Sequence, residues 1–165
     1  MRKDECKSHT KQDILYFLQS RDLECGIRTL RDLPTPQSLN HIESGAKIIT
    51  QAMERNKEIL VVGDYDADGV CASAIMSAFF KALGYQHFRL IIPHRFEDGY
   101  GVSAALLEKY ANNAPVVVSV DNGITAFCAG QWCKARGIPF IITDHHTPTN
   151  TLPQADIIIN PMLQD

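Results

Sequence analysis

Four short runs without alternation, apolar but for the single Ser119, constrain this chain more than any other feature: Ile59–Val62, Val116–Val120, residues 140–142 and Ile157–Ile159. A strand with one wet face alternates apolar and polar residues. A strand apolar at every position has both faces buried, as in a parallel sheet covered by helices. Residues 88–92 add a fifth strand, followed by a loop over 93–101. The segments between the strands are helical in character. Ile42, Ala46, Ile49 and Met53 recur at helical spacing over 41–56, with Ser38 or Asn40 as cap. Residues 70–83 form a second helix, Ser103 caps a third that reaches Tyr110, and a fourth spans 124–136 and ends at Gly137. Strands alternating with helices predict an α/β fold: a doubly wound, mainly parallel, Rossmann-like sheet with helices on both faces and right-handed crossovers. At 165 residues and 45% hydrophobic, the chain can bury a core of that kind. Residues 1–37 read as a polar, partly helical lead-in, amphipathic over 14–18 and closed by Leu33-Pro34-Thr35-Pro36. Residues 38–165 are the domain.

Several function classes are excluded at this level. No apolar run approaches the roughly 20 residues that a membrane helix needs. The polar start Met1-Arg2-Lys3-Asp4-Glu5 leads into no apolar stretch of the kind that directs secretion. Five cysteines, Cys6, Cys25, Cys71, Cys128 and Cys133, form no Cys-x-x-Cys pair. Free thiols in a reducing compartment are expected, hence a cytoplasmic protein. The net charge of −3 shows no bulk basic face for nucleic acid. An acidic cluster that recruits two divalent cations would reverse that sign locally.

The acids and histidines fall at particular places. Asp64, Asp66 and Asp68 follow the first run, Asp121 follows Val120 directly, and Asp144, His145 and His146 follow residues 140–143. Each group stands just past the carboxyl end of a strand, the edge where open α/β sheets bind ligands. Carboxylate and imidazole without thiolate suit Mn²⁺, Mg²⁺ or Fe²⁺ and allow zinc. Crowded carboxylates repel one another unless a cation joins them, and one shared between two ions makes a two-metal clamp for phosphoryl chemistry. Asp64-x-Asp66-x-Asp68-Gly69 also opens like a calcium loop, but its twelfth position is Ile75, where a bidentate Glu is needed. An aspartyl nucleophile of the haloacid-dehalogenase type leaves the adjacent histidines unexplained. Helix-dipole preference accounts for one or two acids, not for three separate groups.

Four motifs resemble the DHH phosphoesterase superfamily: Val61 to Gly69 (VVGDYDADG), Pro93 to Gly101 (PHRFEDGYG), Val120 to Ile124 (VDNGI) and Thr143 to His146 (TDHH). Ile158-Ile159-Asn160-Pro161 also fits. The second motif is similar to that of the branch of bacterial single-strand-specific exonucleases. The resemblance implies that Asp66 and Asp68 ligate different ions, that Asp121 bridges them and that His145 is a further ligand. His146 would contact the scissile phosphate, and Asp64 and Asp144 would be ligands or would orient the ligands. A histidine that other branches carry two residues before Asp64 is Val62 here. In the loop, Arg95 can grip phosphate. Gly99 and Gly101 let the backbone approach a ligand, and Tyr100 can stack on a base. Gly123 permits a tight turn and an N–H contact to phosphate at the start of the next helix.

The implied function is metal-dependent hydrolysis of phosphodiester bonds, 5′ to 3′ on single-stranded DNA, with two divalent ions, Mn²⁺ first and Mg²⁺ second. By the same resemblance, the chain stops before a later ligand motif and a C-terminal DHHA1 domain, which implies low or no activity alone. Two alternatives stand beside this: a phosphodiesterase acting on short oligonucleotides or cyclic dinucleotides, and a non-catalytic binding or scaffold module.

Overall fold

The computed structural model describes residues 10–19, 29–111, 113 and 115–163, which divide between two compact units, 1–34 and 35–165. The expectations for residues 1–9, including Cys6, and for Cys25 lie outside the described residues. In the first unit, α1 (Lys11–Gln19) starts at a reciprocal cap: the Asp13 N–H donates to Thr10 Oγ1 at 3.2 Å, and the Asp13 carboxylate accepts from the Thr10 N–H at 2.8 Å. The Thr10 hydroxyl, which also donates to the Asp13 carboxylate at 2.7 Å, and then the Thr10 N–H hold the Asp13 carboxyl below the usual range.

The second unit is a five-stranded, all-parallel sheet of β1 (Ile59–Val62), β2 (Phe88–Ile91), β3 (Val116–Val120), β4 (Phe140–Thr143) and β5 (Ile157–Ile159), in the order β2-β1-β3-β4-β5. Among the described residues four α-helices accompany it: α2 (Ile42–Glu54), α3 (Ala67–Ala82), α4 (Ala104–Tyr110) and α5 (Phe127–Arg136). Successive strand residues face opposite sides. Leu60, Val62, Val117, Phe140 and Ile142 pack with Leu106, Leu107, Ala129 and Cys133 from α4 and α5. Ile59, Val61, Val116, Val118 and Ile141 pack with Ala52, Met53, Met76 and Phe80 from α2 and α3. β1 and β3 are buried at every position, as the absence of alternation requires. The doubly wound α/β expectation is met.

The differences are at helix starts. The α2 cap is His41, at φ 65° and without a side-chain cap bond, not Ser38 or Asn40. α3 starts at Ala67, earlier than 70, because Asp66 caps it and accepts from the Gly69 N–H at 2.9 Å. α5 starts at Phe127, later than 124, because residues 121–126 are spent on a turn closed by Ala126 N–H to Gly123 O at 2.9 Å. Ser103 caps α4 and Gly137 ends α5 as expected. Among the described residues, no helix is long and apolar enough to cross a membrane.

Burial makes one chemical prediction. Cys133 is 1% exposed, and its thiol is pushed up from 9.0 to about 12, chiefly by burial. Cys71 and Cys128 are exposed. At pH 8, native alkylation followed by peptide mass mapping should modify Cys71 and Cys128, and Cys133 only after denaturation. The folded chain holds the Cys133 proton more tightly than the unfolded one. That contribution to stability is complete below pH 9.0 and is lost as pH rises toward about 12.

Candidate metal centre at the carboxyl ends of the strands

β1 and β3 are neighbours, and the sheet grows in opposite directions from them, through β2 on one side and β4 and β5 on the other. The crossovers leave to opposite faces there and open a crevice at the strand ends. Main-chain bonds carry the ladder one step past β1, β3 and β4, right where the acids begin. The Gly63 N–H donates to Ile91 O, the Asp121 N–H to Thr143 O and the Asp144 N–H to Ile159 O, at 2.9, 2.9 and 3.1 Å. The acids therefore leave a rigid platform rather than mobile loops.

Asp64, Asp66 and Asp121 each offer an oxygen, and these atoms lie within 4.8 Å of one another. Asp121, His145 and His146 form a second group by the same measure, so Asp121 belongs to both. Asp121 sits at φ 62°, a left-handed backbone that Asp tolerates better than most residues. Its Oδ1 meets His145 Nε2 at 2.9 Å, and its Oδ2 is buried with no hydrogen-bond partner. A buried carboxylate oxygen without a donor is costly unless a cation serves it. With a donor set of carboxylates and imidazoles, this orphan oxygen fits a divalent metal.

The electrostatics separate the acids. The Gly69 N–H, more than any other group, holds the Asp66 carboxyl below the usual range. Burial, and then the Asp66 charge, push Asp121 up. Of the two, Asp121 keeps its proton to higher pH. Asp144 plays a different part. Its Oδ1 accepts from the His145 and His146 N–H groups at 2.8 and 3.1 Å and pairs with His146 Nδ1 at 2.7 Å. Its Oδ2 accepts from the Ile124 N–H at 2.8 Å. The Nδ1 bond to Asp144 Oδ1 raises the His146 pKa. Asp144 thus orients the two histidines and belongs to neither ligand group. Asp68 is exposed in the first turn of α3 and also lies outside both groups.

The loop 93–101 supplies the rim. The Arg95 guanidinium lies 5.5 Å from the Tyr65 ring centroid. Tyr65 and Tyr100 meet edge-on at 6.1 Å, and Tyr100 and His146 at 6.5 Å. Burial and the charges of Asp64, Asp144 and Asp121 push the Tyr100 phenol up to about 12, so it stays a neutral donor beside Asp64. Gly99 and Gly101 have φ of 81° and 60°, left-handed backbone that glycine adopts without strain. Gly123, at φ 115°, has no room for a side chain: a Cβ there would come 2.5 Å from Ser119 Oγ. It lies in the turn after Asp121, and α5 begins only at Phe127, so the Gly123 N–H is not at the helix start.

Three residues escaped the sequence reading. Asn122 is fully buried, and its amide donates to Val62 O at 3.0 Å and Val120 O at 2.9 Å. Its carbonyl accepts from the Val102 N–H at 2.9 Å. Asn160 donates to His146 O at 2.9 Å and accepts from the Met162 N–H at 2.8 Å. Tyr65 links Arg95 to Tyr100. A polar amide within two residues of the end of an apolar strand was the available signal for both asparagines.

A model described as "DHH family, N-terminal domain" matches residues 58–165. The chain belongs to the DHH family. The single-stranded-DNA-specific exonuclease RecJ of Salmonella typhimurium is 40% identical over 147 residues, covering 88% of this chain and 25% of that protein. A solved structure of exonuclease RecJ bound to manganese superposes with a TM-score of 0.70 at 35% identity, over 79% of this chain and 32% of that one. The Mn²⁺ complex of RecJ from Thermus thermophilus gives 0.65 at 29% identity, over 76% and 18%. This DHH chain therefore spans about a quarter of the length of that Salmonella relative.

Asp121 separates metal holding from stability. Asp121→Asn keeps the left-handed backbone and removes the charge that Asp66 opposes. In thermal melts without metal it should raise the midpoint by ~2–4 °C, the shift expected for about 1 kcal/mol in a domain of this size. It should also abolish the stabilisation that millimolar Mn²⁺ gives the parent chain. An unchanged Mn²⁺ shift in this variant would show that Asp121 holds no metal.

Proposed function

We propose that this chain is the metal-binding part of a RecJ-type exonuclease that hydrolyses phosphodiester bonds of single-stranded DNA in the 5′ to 3′ direction. The observation that carries the reading is the pair of ligand groups sharing Asp121 at the β1/β3 crevice. The relatives' activity and the manganese in the similar solved structures support it. Asp64, Asp66, Asp121 and His145 would hold two divalent ions, Mn²⁺ or Mg²⁺, with Asp68 beside them on the first turn of α3. A bound metal supplies Lewis acidity toward the phosphate diester.

The remaining chemistry belongs to the chain. Asp144 engages His146 at Nδ1 and leaves Nε2 to contact the scissile phosphate. The same bond raises the His146 pKa, which favours the cationic donor that a phosphate oxygen wants. Asn160 holds the His146 main chain, so the ring is fixed from two sides. Arg95 can take a neighbouring phosphate. Tyr100, about half exposed, offers its ring to an unpaired base, a contact worth roughly 1–3 kcal/mol per base. Bases held in a duplex cannot reach such a ring, which accounts for a single-strand preference. Gly99, exposed and with open space where a Cβ would stand, lets the strand approach the backbone closely, whereas Gly101 and Gly123 are buried and serve packing under the site. The proposal includes the domain reading of a lead-in over 1–37 before the DHH domain from 38, and a cytoplasmic location consistent with free Cys71 and Cys128.

The test is single-turnover digestion with protein in excess over a labelled oligonucleotide. Mn²⁺ should support cleavage of the single strand and not of the duplex. His146→Ala should slow it by about 10²-fold or more, the usual loss for one charge stabiliser of the transition state. By calorimetry, the same variant should lose less Mn²⁺ affinity than His145→Ala. Equal cleavage of single strand and duplex, or equal metal affinities in the two variants, would refute this division of roles.

A further inference from the structure

We infer that Asn122 is a positioning residue that locks the nucleic-acid loop 93–101 to the floor of the metal centre. Three elements meet on its one side chain. Its amide nitrogen donates to Val62 O and Val120 O, the last carbonyls of β1 and β3. Those carbonyls lie two residues before Asp64 and directly before Asp121. Its amide oxygen accepts from the Val102 N–H, where the loop bearing Arg95 and Tyr100 ends. No part of the residue reaches solvent.

The fit is selective for an amide. Two acceptors on one side and a donor on the other call for NH₂ and C=O on one planar group. Asp at this position would present oxygen to two carbonyls and bury a charge beside Asp121. The loop is shaped to this contact as well: a Cβ on Gly101 would lie 3.1 Å from Asn122 Oδ1, at a φ of 60° that other side chains resist. Loop and metal floor meet at a buried amide, so the distance from Arg95 and Tyr100 to the ligand carboxylates is set there. Tyr100 then closes the circle from outside, against His146 at 6.5 Å and beside Asp64.

This inference rests on the nuclease reading, in which the loop holds the strand. The experiment is a double-mutant cycle on the full chain with Mn²⁺ present. It reads anisotropy of a labelled, hydrolysis-resistant oligothymidylate, well below the melting midpoint of every variant. Arg95→Ala should weaken binding about 10-fold, as for loss of one charge-assisted hydrogen bond. Asn122→Ala should do the same without touching the ligand, because the loop loses its register. The double variant should then be little weaker than either single one, not about 100-fold weaker, since both act on one contact. If Asn122→Ala does not fold, Gly101→Ala crowds the same contact from the loop side and enters the cycle in its place.

Additive losses would overturn the inference, because Asn122 would then act independently of the loop. So would a lower melting midpoint with unchanged oligonucleotide affinity, the result of a merely structural role. Unchanged affinity in Arg95→Ala would refute the nuclease reading of the loop and this inference with it.

Discussion

Everything at the site depends on the change of direction between β1 and β3. Strands buried on both faces can carry no chemistry along their length, so polar groups are confined to the strand ends. Most strand ends in a doubly wound sheet are crowded by their own crossovers. Where neighbouring strands send their chains to opposite faces, the end is open. β1 and β3 form that boundary, and Asp64, Asp66 and Asp121 stand on its two banks. The sheet supplies rigidity at no cost to the chemistry, because the ladder continues one bond beyond β1, β3 and β4, the strands that carry the acids.

Such a site opposes folding locally. Asp121 is 8% exposed, its neighbour Asp66 is ionised more readily than a free carboxyl, and one of its own oxygens has no partner. The backbone there is left-handed as well. The like charges of Asp66 and Asp121 and the unpartnered oxygen cost free energy in the metal-free chain, and a cation would offset both; the left-handed backbone adds strain of its own. The core on either side of the sheet bears that cost. The glycines are placed accordingly. A Cβ on Gly69 would come 2.5 Å from the Asp64 main chain, so α3 can begin close against the acid loop only with glycine in its first turn.

The sheet was legible because its signal is physical and local: runs such as Val116–Val120 have no second way to be buried. The clustering of Asp64, Asp121 and Asp144 was legible for the same reason, since strand ends of one parallel sheet share an edge. Helix starts were less so. Asp66 reads equally as a ligand and as a cap, and it is in fact the α3 cap while remaining in a ligand group. The turn 121–126 delays α5 because the Ile124 N–H goes to Asp144, a bond between residues 20 apart that no local pattern announces. Asn122 and Asn160 were missed on the same ground. Their partners, Val62 and Val102 for one and His146 for the other, come together only when the sheet forms.

The tripeptide Asp144-His145-His146 shows why adjacency in sequence is a poor guide to shared function. Successive side chains at a strand end leave in different directions. Asp144 turns inward, 6% exposed, and accepts four hydrogen bonds, two of them from the main chain of the histidines that follow it. His145 reaches across to Asp121 on β3, while His146 folds back onto Asp144 and faces Tyr100. A carboxylate so fully occupied has little capacity left for a metal, whereas Asp121, with an unpartnered oxygen, has it to spare. In the proposed reading, hydrogen-bond saturation therefore separates the acid that would orient from the acid that would ligate, where residue type alone does not.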